Sequence, residues 1–166
     1  MTLGAPSPIA DQHDVSAFSC GYPSLDDWLR RRAIANQKSG ASRTFVVCDE
    51  RRVVAYYALA AGALACSEAT GKFRRNMPDP IPVVILARLA IDTTVQRQGL
   101  GRALFRDASL RILNAADTIG IRGLLIHAIS EEATKFYRAL GADSSPENPQ
   151  TLMVTLADLQ AALQGG

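Results

Sequence analysis

The sequence predicts a mixed α/β fold, a mixed sheet with helices packed against it, and three observations carry that expectation. Apolar residues follow helical spacing and short β-branched runs in the order helix, hairpin, strand, helix, strand, helix, strand. Glycines, prolines and polar clusters fall between those segments. With 48% hydrophobic and 20% charged residues, the 166-residue chain is too apolar for disorder and suits one domain, 1–166, around one sizeable core.

Ser24 is the expected N-cap of the first helix, with Asp26 and Asp27 in the turn where carboxylates favour the dipole. Leu25, Trp28, Leu29 and Ala33 recur as one core-facing stripe, and Gly40 after Ser39 supplies a left-handed stop. The β-rich runs 44–48 and 53–59 flank the polar turn Asp49-Glu50-Arg51-Arg52 and read as a hairpin. Residues 70–82, with Pro78, Pro80 and Pro82, read as an irregular loop. The apolar run 83–92 opens with β-branched residues and reads as a strand. A helix is expected over 102–117, with Leu104, Phe105, Ala108 and Ile112 on one side. Residues 124–129 read as a buried strand, which makes His127 a core histidine. Ser130 caps a helix that opens with Glu131 and Glu132 and closes with Lys135, Arg138 and Gly141, a charge order matching the macrodipole. Residues 151–156 form a last strand before a short helical tail.

Several classes are excluded. No apolar run reaches the roughly 18 residues of a membrane-spanning helix. Residues 1–10 lack the basic and apolar regions of a secretion signal, so a cytoplasmic protein with no membrane partner is expected. Cys20, Cys48 and Cys66 form no CxxC pair and have no histidine at ligand spacing. They read as small packed side chains in a reducing compartment, and no metal site is expected. A net charge of +2 is too mild to imply a nucleic-acid partner, which depends on local clusters.

One turn carries chemistry. Thr94-Val95-Gln96-Arg97-Gln98-Gly99-Leu100-Gly101-Arg102 joins the apolar strand to its helix. Two glycines let the backbone curl and approach a ligand with no Cβ in the way. The unpaired amides of the helix start and the positive end of its dipole suit a pyrophosphate, with Arg97 and Arg102 adding charge at the edge. No Gly-Lys-Ser/Thr follows, as a Walker loop requires, and the third glycine of a dinucleotide fingerprint is missing. Taken alone, the turn also reads as a tight connection with no ligand.

Gln96-x-x-Gly99-x-Gly101, after a strand ending Arg88-Leu89-Ala90-Ile91-Asp92, resembles the acetyl-CoA motif of the GNAT superfamily of N-acetyltransferases. The resemblance implies a GNAT-like acyl-CoA N-acyltransferase fold with splayed central strands. Main-chain groups of Leu89, Ala90 and Ile91 would hold the pantetheine arm of acetyl-CoA. Gln96, Arg97, Gln98, Gly99, Leu100, Gly101 and Arg102 would hold its phosphates. A second element, Ala133-Thr134-Lys135-Phe136-Tyr137-Arg138-Ala139-Leu140-Gly141, places Ala133, Phe136 and Leu140 on one helix face with Tyr137 beside it. Read alone, Tyr137 is a half-buried packing aromatic with its hydroxyl in water. By resemblance Phe136 borders the cofactor and Tyr137 is catalytic, hydrogen-bonding or protonating the departing thiolate. A phenol near pKa 10 facing a thiol near 8.5 makes a strengthening hydrogen bond the safer description.

The resemblance extends to the acetyltransferase toxins of bacterial toxin–antitoxin pairs through several segments in one order. These are Phe18-Ser19-Cys20-Gly21, Leu25-Asp26-x-Trp28-Leu29, Arg43-Thr44-Phe45-Val46-Val47, Tyr56-Tyr57-Ala58-Leu59, Arg74-Arg75-Asn76-Met77-Pro78, Ile81-Pro82-Val83-Val84 and Leu86-Ala87-Arg88-Leu89-Ala90. It implies transfer of an acetyl group to the α-amine of aminoacyl-tRNA, blocking translation. It further implies a homodimer, neutralised by a ribbon-helix-helix antitoxin. Gly141-Ala142-Asp143 departs from the family, which commonly has Gly followed by Phe. Arg31, Lys72, Arg74, Arg75 and Arg88 are candidates to track tRNA phosphates, and each also fits a solvated surface. No strong general base presents itself; Glu131, Glu132 and His127 are candidates by type. An α-amine titrating near 7.7 to 8.0, lowered further by esterification, needs none. A housekeeping acetyltransferase for protein N-termini, polyamines or small amines is the alternative.

Overall fold

The computed structural model describes residues 2–165; Met1 and Gly166, the ends of the expected 1–166 domain, lie outside the described residues. In chain order the elements are β1 (Ser7–Pro8), α1 (Pro23–Arg31), α2 (Ala33–Ser39), β2 (Arg43–Asp49), β3 (Arg52–Leu64), α3 (Gly71–Arg74) and β4 (Ile81–Ile91). Then follow α4 (Leu100–Ala116), β5 (Gly123–His127), α5 (Glu131–Ala139), β6 (Asp143–Ser144), β7 (Thr151–Thr155) and α6 (Leu156–Gln164). The strands form a mixed seven-stranded sheet in the order β1-β2-β3-β4-β5-β7-β6, the α/β architecture expected. The chain divides into two compact units, Met1–Ala60 with Ala87–Asp107 and Ala61–Leu86 with Ala108–Gly166. Among the described residues no helix is long and apolar enough to cross a membrane.

In the first unit, α1 starts one residue before the expected cap. Pro23, with its fixed φ and no N–H to satisfy, takes the first helical position. Tyr22 is therefore the N-cap, without a side-chain bond, and Ser24 lies inside the helix. The single helix expected up to Ser39 is two, because Arg32 (φ −120°, ψ −30°) leaves the helical region. The apolar stripe survives the break: Leu25, Leu29 and Ala33 are buried and Trp28 packs beside them. Gly40 (φ 85°) stops α2 as expected. The hairpin also holds, with β2 and β3 antiparallel from Arg43↔Leu59 to Asp49↔Arg52, although β3 outlasts its expected end at residue 59. β1, paired to Phe45 and Val46, is too short for a periodicity to show in sequence.

In the second unit β4 runs parallel to β5, with Val84, Ile85 and Leu86 opposite Leu124, Leu125 and Ile126. A parallel pair needs a crossover, and α4 lies between the two strands in sequence. β5 and β6 both pair antiparallel with β7. The expected loop 70–82 contains α3, capped by the Thr70 hydroxyl, which accepts from the Phe73 amide at 3.2 Å. His127 is not a core histidine. β5 ends on it, two residues before the expected limit, and its ring is exposed with Nδ1 3.5 Å from the Thr151 hydroxyl. α5 starts as expected, the Ser130 hydroxyl accepting from the Ala133 amide at 3.1 Å.

Candidate active site

The first unit holds the glycine turn. At the end of β4, the buried Asp92 carboxylate accepts from the Ser19 amide (3.0 Å), the Thr94 amide (2.9 Å) and the Thr94 hydroxyl (2.7 Å). Burial by itself pushes this carboxyl up. The amides of Thr94 and Ser19, the Thr94 hydroxyl and nearby Arg52 outweigh that and hold it below its ordinary value. The Gln96 carboxamide nitrogen donates to the carbonyls of Cys20 (3.0 Å) and Ile91 (2.9 Å), bracing the turn against the strand it leaves.

Beyond that brace the chain takes two left-handed residues, Arg97 (φ 63°) and Gly99 (φ 81°). The sequence pointed to two turn glycines. Only Gly99 is one, because α4 begins at Leu100, earlier than the expected Arg102, and Gly101 lies in its first turn. Ala103 N–H donates to the Gly99 carbonyl at 3.1 Å, the first bond of the helix. The first-turn amides of α4 have no intrahelical acceptor, as at any helix start. A Cβ built on Gly99 would meet nothing within 4 Å, so the approach is open, and Arg97, Gln98 and Arg102 are exposed around it. Unspent amides, a helix start and two arginines fit the diphosphate of acetyl-CoA.

The second unit holds Tyr137. On α5 the buried residues are Thr134 and Tyr137, while Ala133, Phe136 and Leu140 are half-buried. The inward stripe therefore runs through Tyr137 itself, which is neither half-buried nor beside the core face. Its ring meets Phe136 edge-on at 5.1 Å and 69°. Burial pushes its phenol above the ordinary range, so it stays protonated and can donate throughout the neutral range. Gly141 (φ 102°) turns the chain, and the amide of buried Ala142 donates to the Tyr137 carbonyl at 3.1 Å. The departure from the family's aromatic thus leaves a small packed residue there.

The basic candidates separate by what they touch. Arg31, Arg74 and Arg75 are exposed. Lys72 is ion-paired with Asp158, whose carboxylate raises the lysine's pKa. Arg122 donates to the carbonyls of Phe73 and Lys72, both at 2.8 Å, and so closes the end of α3 that presents Arg74 and Arg75. Arg88 lies over the Trp28 ring, 4.4 Å from its centroid. Of these supporting groups, Asp92 was readable from Asp92-Thr93-Thr94, a pattern in which a carboxylate binds the amide two residues on. Trp28 was readable only as part of the helical stripe and of Leu25-Asp26-x-Trp28-Leu29; its contact with Arg88, and those of Arg122, carry no local signal. The cysteines are free thiols; Cys20 is buried, its thiol pushed up to about 11 by burial and by Asp26.

The first unit thus offers the amides of a helix start, and the second a buried, protonated phenol. The chain belongs to the Acetyltransferase (GNAT) domain family, which it matches over residues 40–141. It is 50% identical over 159 residues to the tRNA-acetylating toxin of Mycobacterium tuberculosis, covering 96% of each chain. It is similar to the solved structure of AtaT complexed with acetyl-methionyl-tRNA, with a TM-score of 0.87, 27% identity and coverage of 96% and 98%. It is similar also to a tyrosine-to-phenylalanine mutant of AtaT bound to the C-terminus of the antitoxin AtaR and acetyl-CoA. There the TM-score is 0.83, with 26% identity and 99% of each chain covered.

Proposed function

We propose that this chain transfers the acetyl group of acetyl-CoA to the α-amine of the amino acid on charged tRNA, and thereby blocks translation as the toxin of a toxin–antitoxin pair. The observation that carries this reading is half-identity, over nearly the full length of both chains, to a tRNA-acetylating toxin. The family match crosses both compact units, which supports treating 1–166 as one acetyltransferase domain.

Acetyl-CoA supplies an activated acetyl thioester. Main-chain groups of Leu89, Ala90 and Ile91 bind its pantetheine arm, and Phe136 borders it. The amides of residues 97–102 bind the diphosphate, with Arg97 and Arg102 adding charge. Gln96 serves chiefly as the brace its two carbonyl contacts make it. Tyr137 donates a hydrogen bond to the sulfur as the thioester bond breaks, a role that needs the phenol protonated, as its burial keeps it. No general base is required. An α-amine titrates near 7.7 to 8.0 and esterification lowers that further, so much of the substrate is neutral at cellular pH.

Arg31, Arg74, Arg75 and Arg88 contact tRNA phosphates, and Lys72 joins them only by leaving Asp158. The partner antitoxin is of the ribbon-helix-helix type, the active form is a homodimer, and the site of action is the bacterial cytoplasm. Labelled acetyl-CoA offered together with charged tRNA, polyamines, small amines and peptide N-termini tests the reading. Label on charged tRNA supports it. Label confined to the amines and peptides replaces it with a housekeeping acetyltransferase.

A further inference from the structure

We infer that Trp28 is a positioning residue which holds Arg88 to receive the phosphodiester nearest the esterified amino acid, at the 3′ end of the tRNA. The inference rests on the proposed tRNA reading and deepens it. Arg88 sits in β4 immediately before Leu89, the first residue assigned to the pantetheine arm. Its guanidinium lies 4.4 Å from the centroid of Trp28, and Trp28 is stacked on Tyr56 with ring planes 9° apart. Tyr56 is itself fixed, fully buried, with its hydroxyl donating to the Leu25 carbonyl at 2.7 Å and its ring edge-on to Phe18. The platform beneath the arginine is therefore rigid, built from α1 and β3.

Arg88 is half-buried, and among the described residues no carboxylate pairs with it. Burial draws its pKa below the ordinary value, the mark of a cation short of solvent. A cation stacked on an aromatic, poorly hydrated and without a counter-ion, is ready for a bidentate anion. The chemistry of the substrate identifies that anion. An amino acid esterified to tRNA has no free α-carboxylate, so, acidic side chains apart, the nearest negative charge to its amine is the phosphodiester on the 5′ side of the terminal nucleotide.

The test compares two acceptors, an aminoacyl-adenosine and the same nucleoside extended by a 5′-linked cytidine phosphate. The wild-type protein should prefer the phosphate-bearing acceptor in kcat/KM by tenfold or more. That ratio should fall towards one in Arg88→Gln, fall partly in Trp28→Leu, and recover in Trp28→Phe, which keeps a ring under the guanidinium. A ratio unchanged in Arg88→Gln overturns the inference, as does a raised KM for acetyl-CoA with the ratio intact, which would assign Arg88 to the cofactor. If the wild-type protein acetylates neither acceptor nor charged tRNA, the tRNA reading fails and this assignment with it.

Discussion

Tyr137 and Asp92 show what single side chains contribute. Tyr137 is buried and protonated well past neutral pH, which suits a hydrogen-bond donor to sulfur. Tyr137→Phe should lower kcat by at least about tenfold, the low end of acid–base contributions, while calorimetry finds acetyl-CoA binding retained. Full activity in that variant would remove the assigned role. The wild-type rate should rise with pH as the substrate amine loses its proton, with no falling limb from Tyr137 below about pH 10. Asp92 ties the glycine turn to the Phe18-Ser19-Cys20 segment through three hydrogen bonds to an ionised group. Because its folded pKa is depressed, the stability it contributes is present above the unfolded value near 3.9 and is lost as pH falls through the folded value. Asp92→Asn should thus be less stable by about 2 kcal/mol at neutral pH, within the range for hydrogen bonds to charged groups. In urea melts that gap should close below about pH 4; a gap independent of pH would mean the charge is irrelevant.

Two glycines illustrate how elements divide between function and stability. Gly99 needs its left-handed φ, and space around it is open, so Gly99→Ala should cost about 1–2 kcal/mol of backbone strain and weaken acetyl-CoA binding. Gly123 lies in β5 where an added Cβ would overlap the Val154 carbonyl of the neighbouring strand. Gly123→Ala should therefore lower the urea midpoint by the equivalent of about 3 kcal/mol. The contrast is checked by measuring acetyl-CoA binding and melting on both variants; equal effects on binding would refute it. These elements also mark what was legible from residues alone. The caps at Ser130 and Gly40, the α1–α2 stripe and the hairpin were readable because each depends on neighbours in sequence. The break at Arg32, the two-residue β1 and the exposure of His127 were not, because tertiary packing and strand register decide them. The glycine turn was readable as a motif. Its left-handed Arg97, its Gln96 brace and the early start of α4 were not, because contacts with Cys20 and the path of the folded chain decide them.

At the scale of the molecule, the first unit holds the glycine turn and the start of α4, and the second holds the buried phenol on α5. Among the described residues no carboxylate pairs with Arg31, Arg74, Arg75 or Arg88, although the net charge is only +2. On the proposed function, recognition of tRNA depends on where these arginines lie more than on total charge. Mass spectrometry of total charged tRNA, after incubation with the protein and acetyl-CoA, examines the proposed chemistry at the atom concerned. An acetyl group should appear on the α-nitrogen of the esterified amino acid, and it should be lost when Tyr137→Phe replaces the wild-type chain at the same short incubation time. Charged tRNA recovered without any acetyl group, while the protein still binds acetyl-CoA, would contradict it.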